Sequence, residues 1–313
     1  MKVLLATDLS DHASVAHELV RSLMLPEGSK VRVITAVEPV TTIQLFAPAA
    51  MLTISEAAER EVRAEVSRVA KDLERPGVEA DAVIALGRAA DVILEAATAF
   101  APDLIVVGTR GRGGVKSAIL GSVSAEIVDR APCAVLVARS GKISSLILAE
   151  DGSKYSTAAA DVIRSLPALA ALPVRVVSVV DAPFPALIVD PGGSASAIEA
   201  YRAYEAALPA FRATHSAYAH DRAEALASVG ISATFEQREG DAADELIEAA
   251  KREHADCIVI GTRGQTGLQR LALGSVARSV LFHAPCSVLI AYGARVQPRS
   301  STNGSTPALA ATR

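Results

Sequence analysis

The residues of this chain best suited to chemistry form a glycine pattern that occurs twice, Gly-x2-Gly-x9-Gly-Ser. One copy is Gly108, Gly111, Gly121 and Ser122; the other is Gly261, Gly264, Gly274 and Ser275. Glycine lets the backbone approach a ligand closely and take positive φ. Each pattern begins where a β-branched apolar run ends and finishes where a helical pattern starts. A helix N-terminus presents unpaired N–H groups and the positive end of the dipole, which is chemistry for holding an anion, phosphate above all. Ser122 and Ser275 can cap that helix or donate a hydroxyl to phosphate. A strand–helix turn without a ligand would also use glycine, and duplication would preserve it. Two copies at identical spacing around a long loop favour the ligand.

Other phosphate and cofactor loops are excluded by position. GRGGVKS (111–117) places Val115 where a Walker A loop needs glycine before Lys116, and the second copy's loop has no lysine. Gly111-x-Gly113 follows the fourth strand rather than the first and lacks the third glycine of a dinucleotide fingerprint. His12/His17 and His215/His220 are five apart, not the four that aligns two ligands on one helix face. His12 is expected on a helix surface. No nucleophile elbow is present.

The glycine pattern belongs to a tandem repeat. LIVVGTRGRGGVKSAILGSVSAEIVDRAPCAVLVA (104–138) matches CIVIGTRGQTGLQRLALGSVARSVLFHAPCSVLIA (257–291) at an offset of 153, and VLLATDLS (3–10) matches LILAEDGS (146–153) at 143. A net ten-residue insertion in the middle of the second copy, at a loop or helix end, accounts for the change. Each copy alternates apolar runs with helical patterns, the mark of a parallel α/β sheet. Strands are expected at 2–7, 30–37, 79–86, 103–108 and 133–138, then near 144–150, 172–180, 231–239, 256–261 and 286–291. Helices are expected at about 11–25, 52–75, 88–101 and 121–130 in the first copy. The domains are read as 1–140 and 143–293, followed by a disordered Ser/Thr/Pro-rich tail, 294–313.

Composition sets the setting. Half of the 313 residues are hydrophobic and the net charge is −4, so extended disorder and general nucleic-acid binding are both disfavoured. Cys133, Cys257 and Cys286 form no disulfide framework and are expected to be buried and inert. No apolar run spans a membrane and the N-terminus lacks a signal-peptide pattern, so a soluble cytoplasmic protein is expected.

With these motifs the chain resembles a tandem universal stress protein of the ATP-binding subgroup, over about residues 1–292. The glycine pattern, the aspartate after the first strand (DGS at 151–153) and the closing APC-x-VL-(V/I) strand carry the resemblance. It implies two five-stranded parallel sheets, each ordered 3-2-1-4-5 with helices on both faces, in the adenine-nucleotide alpha-hydrolase-like class. That order has a switch point between strands 1 and 4, where ligands bind. By resemblance, Asp8 and Asp151 lie near the ribose and any Mg²⁺ of bound ATP. Val37 and Val180 offer backbone groups to adenine. The glycines, Ser122 and Ser275 surround the phosphates, with main-chain N–H groups from Val123 and Val276. Arg110, Arg112 and Arg263 are further phosphate partners.

The resemblance also implies that 133–138 and 286–291 pair antiparallel, making an internal pseudo-dimer; further assembly into a homodimer is expected but has no signal in the sequence. The expected role is an ATP-binding stress-response or regulatory protein, hydrolysing ATP slowly at most. The alternatives are a nucleotide-using enzyme of the same superfamily, which lacks its HIGH or SGGxDS loop here, and a nucleotide-free scaffold. The copies differ. Leu9 stands where Gly152 stands and could narrow the first ribose pocket. Arg110, Arg112 and Lys116 in the first loop, against Arg263 and Arg270 beside Gln265 and Gln269 in the second, predict tighter ATP binding at the first site.

Overall fold

A computed structural model describes residues 1–38, 48–109, 120–181, 195–264 and 273–293, with side chains described outside 48–58 and 195–197. The first half contains β1 (Lys2–Ala6), α1 (Asp11–Ser22), β2 (Ser29–Val37), α2 (Pro48–Leu73), β3 (Val78–Leu86), α3 (Ala89–Phe100), β4 (Leu104–Gly108), α4 (Ser122–Arg130) and β5 (Ala134–Ala138). The second half contains β6 (Leu146–Ala149), α5 (Lys154–Ser165), a one-turn α6 (Pro167–Ala170), β7 (Val174–Val180), α7 (Ala195–Ala227), β8 (Ala233–Glu239), α8 (Ala242–Arg252), β9 (Cys257–Gly261), α9 (Ser275–His283) and β10 (Ser287–Ala291). Arg110, Gly111, Arg112, Lys116, Gln265, Gln269, Arg270 and the tail 294–313 lie outside the described residues.

The strands run as expected, but they do not make two sheets. All ten belong to one, ordered β3-β2-β1-β4-β5-β10-β9-β6-β7-β8. Each half keeps the parallel order 3-2-1-4-5. The halves join where β5 meets β10 antiparallel, with Leu136 opposite Leu289. The expected pairing of these strands therefore converts two five-stranded sheets into one. The physical reason is that AVLVA and SVLIA are apolar on both faces, and each would otherwise present an open row of N–H and C=O groups.

Strand alternation builds the core on both faces. Val3 and Leu5 of β1 pack toward α1 and α2, while Leu4 and Ala6 pack toward α3 and α4. The same division holds in the second half, with α5 and α7 on one face and α8 and α9 on the other, and both clusters continue across the seam. Helix α2 has 26 residues and its equivalent α7 has 33, so part of the ten-residue insertion lengthens the helix N-terminus. The two helices align at their C-terminal ends, where Val66, Ala70 and Leu73 correspond to Ala219, Ala223 and Leu226, all buried.

Candidate functional site

The turns after β6 and β9 leave the sheet on opposite faces, into α5 and α9, and open a crevice at the strands' carboxyl ends. A cavity of about 370 Å³ fills it, within the range of about 300–1,000 Å³ common for small-molecule sites. Val177, Val179, Leu246 and Val276 give it apolar walls. Asp151, Arg263, Gly264, Gly274 and Ser275 add charge, hydroxyl and bare backbone. The same strand ends in the first half carry Asp8, Gly108, Gly121 and Ser122.

The described glycines of the two patterns do different work. A Cβ on Gly261 would lie 2.5 Å from the carbonyl oxygen of Tyr155, and one on Gly108 would lie 2.7 Å from that of His12. The first glycine thus lets the helix start pack on the strand end. Gly264 is different: its Cβ would meet Asp151 Oδ2 at 2.8 Å, so the bare backbone faces the carboxylate. The last glycine closes the loop's neck, Gly121 N donating to Thr109 O at 2.6 Å and Gly274 N to Thr262 O at 2.7 Å.

Gly121 and Gly274, not Ser122 and Ser275, occupy the N-cap positions, and neither helix has a side-chain cap. Capping by the serines is therefore corrected: they are exposed at the first helical position. The first helical bonds run from Ala125 N to Gly121 O and from Arg278 N to Gly274 O. The amides of 122–124 and 275–277, including Val123 and Val276, precede the ladder, where an anion can use them.

Asp8 and Asp151 lie in the turns after β1 and β6. Asp8 Oδ1 accepts from Ser10 N and Oγ, and Asp151 Oδ1 accepts from Ser153 N. The residues expected at adenine are placed differently. Val180 O accepts from Gly240 N and Val37 O from Gly87 N, so these backbones face the edge strands. Val177 O instead accepts from Glu150 N. In a parallel strand one residue's N–H and C=O face the same neighbour, so Val179 shares Val177's side, and it lines the cavity where Val180 does not. Ala36 is its equivalent in the first half.

A family model for the universal stress protein family matches residues 1–139 and again 143–291. The chain belongs to the universal stress protein family. A universal stress protein of Thermus aquaticus is 41% identical over 140 residues, covering 44% of this chain and 97% of the relative. The crystal structure of a universal stress protein from Archaeoglobus fulgidus superposes with a TM-score of 0.61 at 18% identity, covering 94% of this chain and 98% of the other. That likeness spans both domains and shows the fold.

The two domains of this universal stress protein surround their aspartates differently, which sequence reasoning missed. Glu150 is buried. Its Oε1 accepts from Gly152 N at 2.7 Å and Ser156 Oγ at 2.6 Å, and its Oε2 accepts from Arg222 Nε, whose guanidinium also donates to Thr157 Oγ1 at 2.8 Å. The first domain has Thr7 and Val69 at these positions, and Thr7 Oγ1 accepts from Leu9 N at 3.0 Å. Ser178 Oγ meets His215 Nδ1 at 2.9 Å where the first domain has Thr35 and Val62. Burial lowers the His215 pKa, against the opposing charge of Asp151. Leu9 and Gly152 share left-handed backbone, φ +62 and +77. The Leu9 side chain packs among α1 and α2, on the face opposite to the cavity's apolar walls. The Tyr218 ring covers Gly152, 2.4 Å from where a Cβ would be.

Proposed function

We infer that this universal stress protein binds ATP, one molecule in each domain, and acts as a cytoplasmic stress-response or regulatory protein. The observation that carries this reading is the second-domain cavity, where apolar walls meet the open amides of α9 and the carboxylate of Asp151. A planar base suits Val177, Val179 and Leu246, and a phosphate suits Gly274, Ser275 and Val276 with Arg263 beside them. Asp8, Gly108, Gly121, Ser122 and Val123 repeat the arrangement in the first domain, with Arg110 and Gly111 in its loop.

The donor set also fits Mg²⁺, which takes one or two carboxylates together with substrate phosphates. Asp151 Oδ2 faces the Gly264 backbone, and Asp8 would serve equally in the first domain. Bound Mg²⁺ would neutralise phosphate charge. Asp151, whose Oδ1 accepts from Ser153 N, would orient a metal or water, and on this reading hydrolysis is expected to be slow. Among the described residues no helix is long and apolar enough to cross a membrane. A homodimer would use surfaces other than β5 and β10, whose edges are spent on each other.

Mass analysis of nucleotide released from the denatured chain, with calorimetry against ATP, GTP and NAD with and without Mg²⁺, tests the reading. Two ATP per chain is the expected result. Equal or tighter binding of GTP or NAD overturns the preference for ATP.

A further inference from the structure

Lys154 opens α5 at its first helical position, where α1 carries Asp11. A cation there opposes the helix dipole, whose positive end favours an acid. The neighbouring residue is Tyr155, where the first domain has His12. Lys154 Nζ lies 5.2 Å and the Arg263 guanidinium 5.7 Å from the Tyr155 ring centroid, within reach of cation–π attraction. Arg263 also donates to the Tyr155 hydroxyl at 3.2 Å. Two cations thus share one aromatic ring, and among the described residues no carboxylate pairs with Lys154 within 4.0 Å. A cation at a helix start with no carboxylate beside it among the described residues breaks a local rule, and such breaks mark candidate ligand sites.

Placement says which part of a ligand. Arg263 begins the glycine loop and lines the cavity; Lys154 and Tyr155 stand just outside that lining. Of these three only Arg263 lines the cavity, and an anionic chain extending past Arg263 would come next to Tyr155 and Lys154. We propose that Lys154, Tyr155 and Arg263 read the terminal phosphates in the second domain, so that this domain discriminates nucleotides by phosphate number. The inference rests on the adenine-nucleotide reading of the cavity. It also bears on the balance of charge between the sites. The loops favour the first domain, but the helix starts differ by two unit charges in favour of the second.

The natural chain has no tryptophan, so Y155W places a reporter in the second domain alone while keeping an aromatic face for both cations. Titrating the full-length Y155W chain with AMP, ADP and ATP should show ATP binding at least about tenfold tighter than AMP. Adding K154Q should weaken ATP several-fold and leave AMP within about twofold, and K154R should restore the ratio. The difference should persist near 1 M salt, where charges more than about 3 Å apart are screened. Calorimetry of K154Q with Tyr155 intact should show the same split. If K154Q weakens ATP and AMP by one factor, or neither, the phosphate-reading role is overturned and the nucleotide reading stands. If no adenine nucleotide changes the indole signal or gives heat with the natural chain, the nucleotide reading fails and takes this inference with it.

Discussion

Arg139 and Tyr292 stand at equivalent positions, one residue past β5 and β10, and each crosses the seam to the same carbonyl of the other domain. The Arg139 guanidinium donates to Leu281 O of α9, and the Tyr292 hydroxyl donates to Val128 O of α4. Arg139 also donates to Cys286 O, and its amide to Ser287 Oγ at 3.0 Å. The internal pseudo-dyad thus survives a change of side-chain chemistry at its two cross-links. Burial pushes the Tyr292 pKa up, so the hydroxyl remains a donor throughout the working pH range.

The seam predicts an ordering of stability losses. R139A leaves two carbonyls short of a donor and should cost about 1–3 kcal/mol, whereas Y292F removes one hydroxyl bond and should cost about 1 kcal/mol. Urea unfolding of the full chain measures both. A Y292F midpoint equal to that of the natural chain would show that the hydroxyl bond contributes nothing.

The glycines should separate stability from binding. G261A and G108A drive a methyl into backbone carbonyls and should destabilise by about 1–3 kcal/mol. G264A meets only the movable end of Asp151, so the fold should survive. ATP affinity should nevertheless fall by about tenfold, or 1.4 kcal/mol. Thermal melts with calorimetry distinguish the cases. If D151A/G264A binds no worse than D151A, the methyl acts through the carboxylate rather than on phosphate.

The buried Glu150–Arg222 pair should behave as a unit. E150T strands Arg222 in a site only 18% exposed, and R222V strands Glu150, which is 1% exposed. Each should cost about 3–5 kcal/mol. The double variant E150T/R222V reproduces Thr7 and Val69 and should recover most of that loss. A double-mutant cycle in urea with no coupling energy would show that the two side chains act independently.

Alkali should weaken the fold through Cys286. Burial raises this thiol from about 9 to about 11, so the folded chain keeps a proton that the unfolded chain releases first. Stability is then fully present below about pH 9 and declines as pH rises toward 11. C286A should flatten that decline, measured as urea midpoints across the range. Burial raises Cys257 too, and all three cysteines are buried, so native protein should resist thiol reagents that label the unfolded chain.

The sequence by itself determined the repeat, the ten strands, and the placement of Asp8, Asp151, Gly108 and Gly261 at strand ends. These are local signals: β-branched runs, helical spacing and turn glycines declare themselves within a few residues. Tertiary structure decided what depends on distant partners. It joined β5 to β10 in one ten-stranded sheet, because pairing links residues about 150 positions apart. It turned Val179 rather than Val180 toward the crevice, because backbone direction follows from which neighbours a strand pairs with. It brought Arg222 of α7 to Glu150 and Arg263 to Tyr155, more than 70 and 100 residues away in the chain. No spacing rule encodes those contacts, since helix α7 meets the turn after β6 only once both pack on the same face of the sheet.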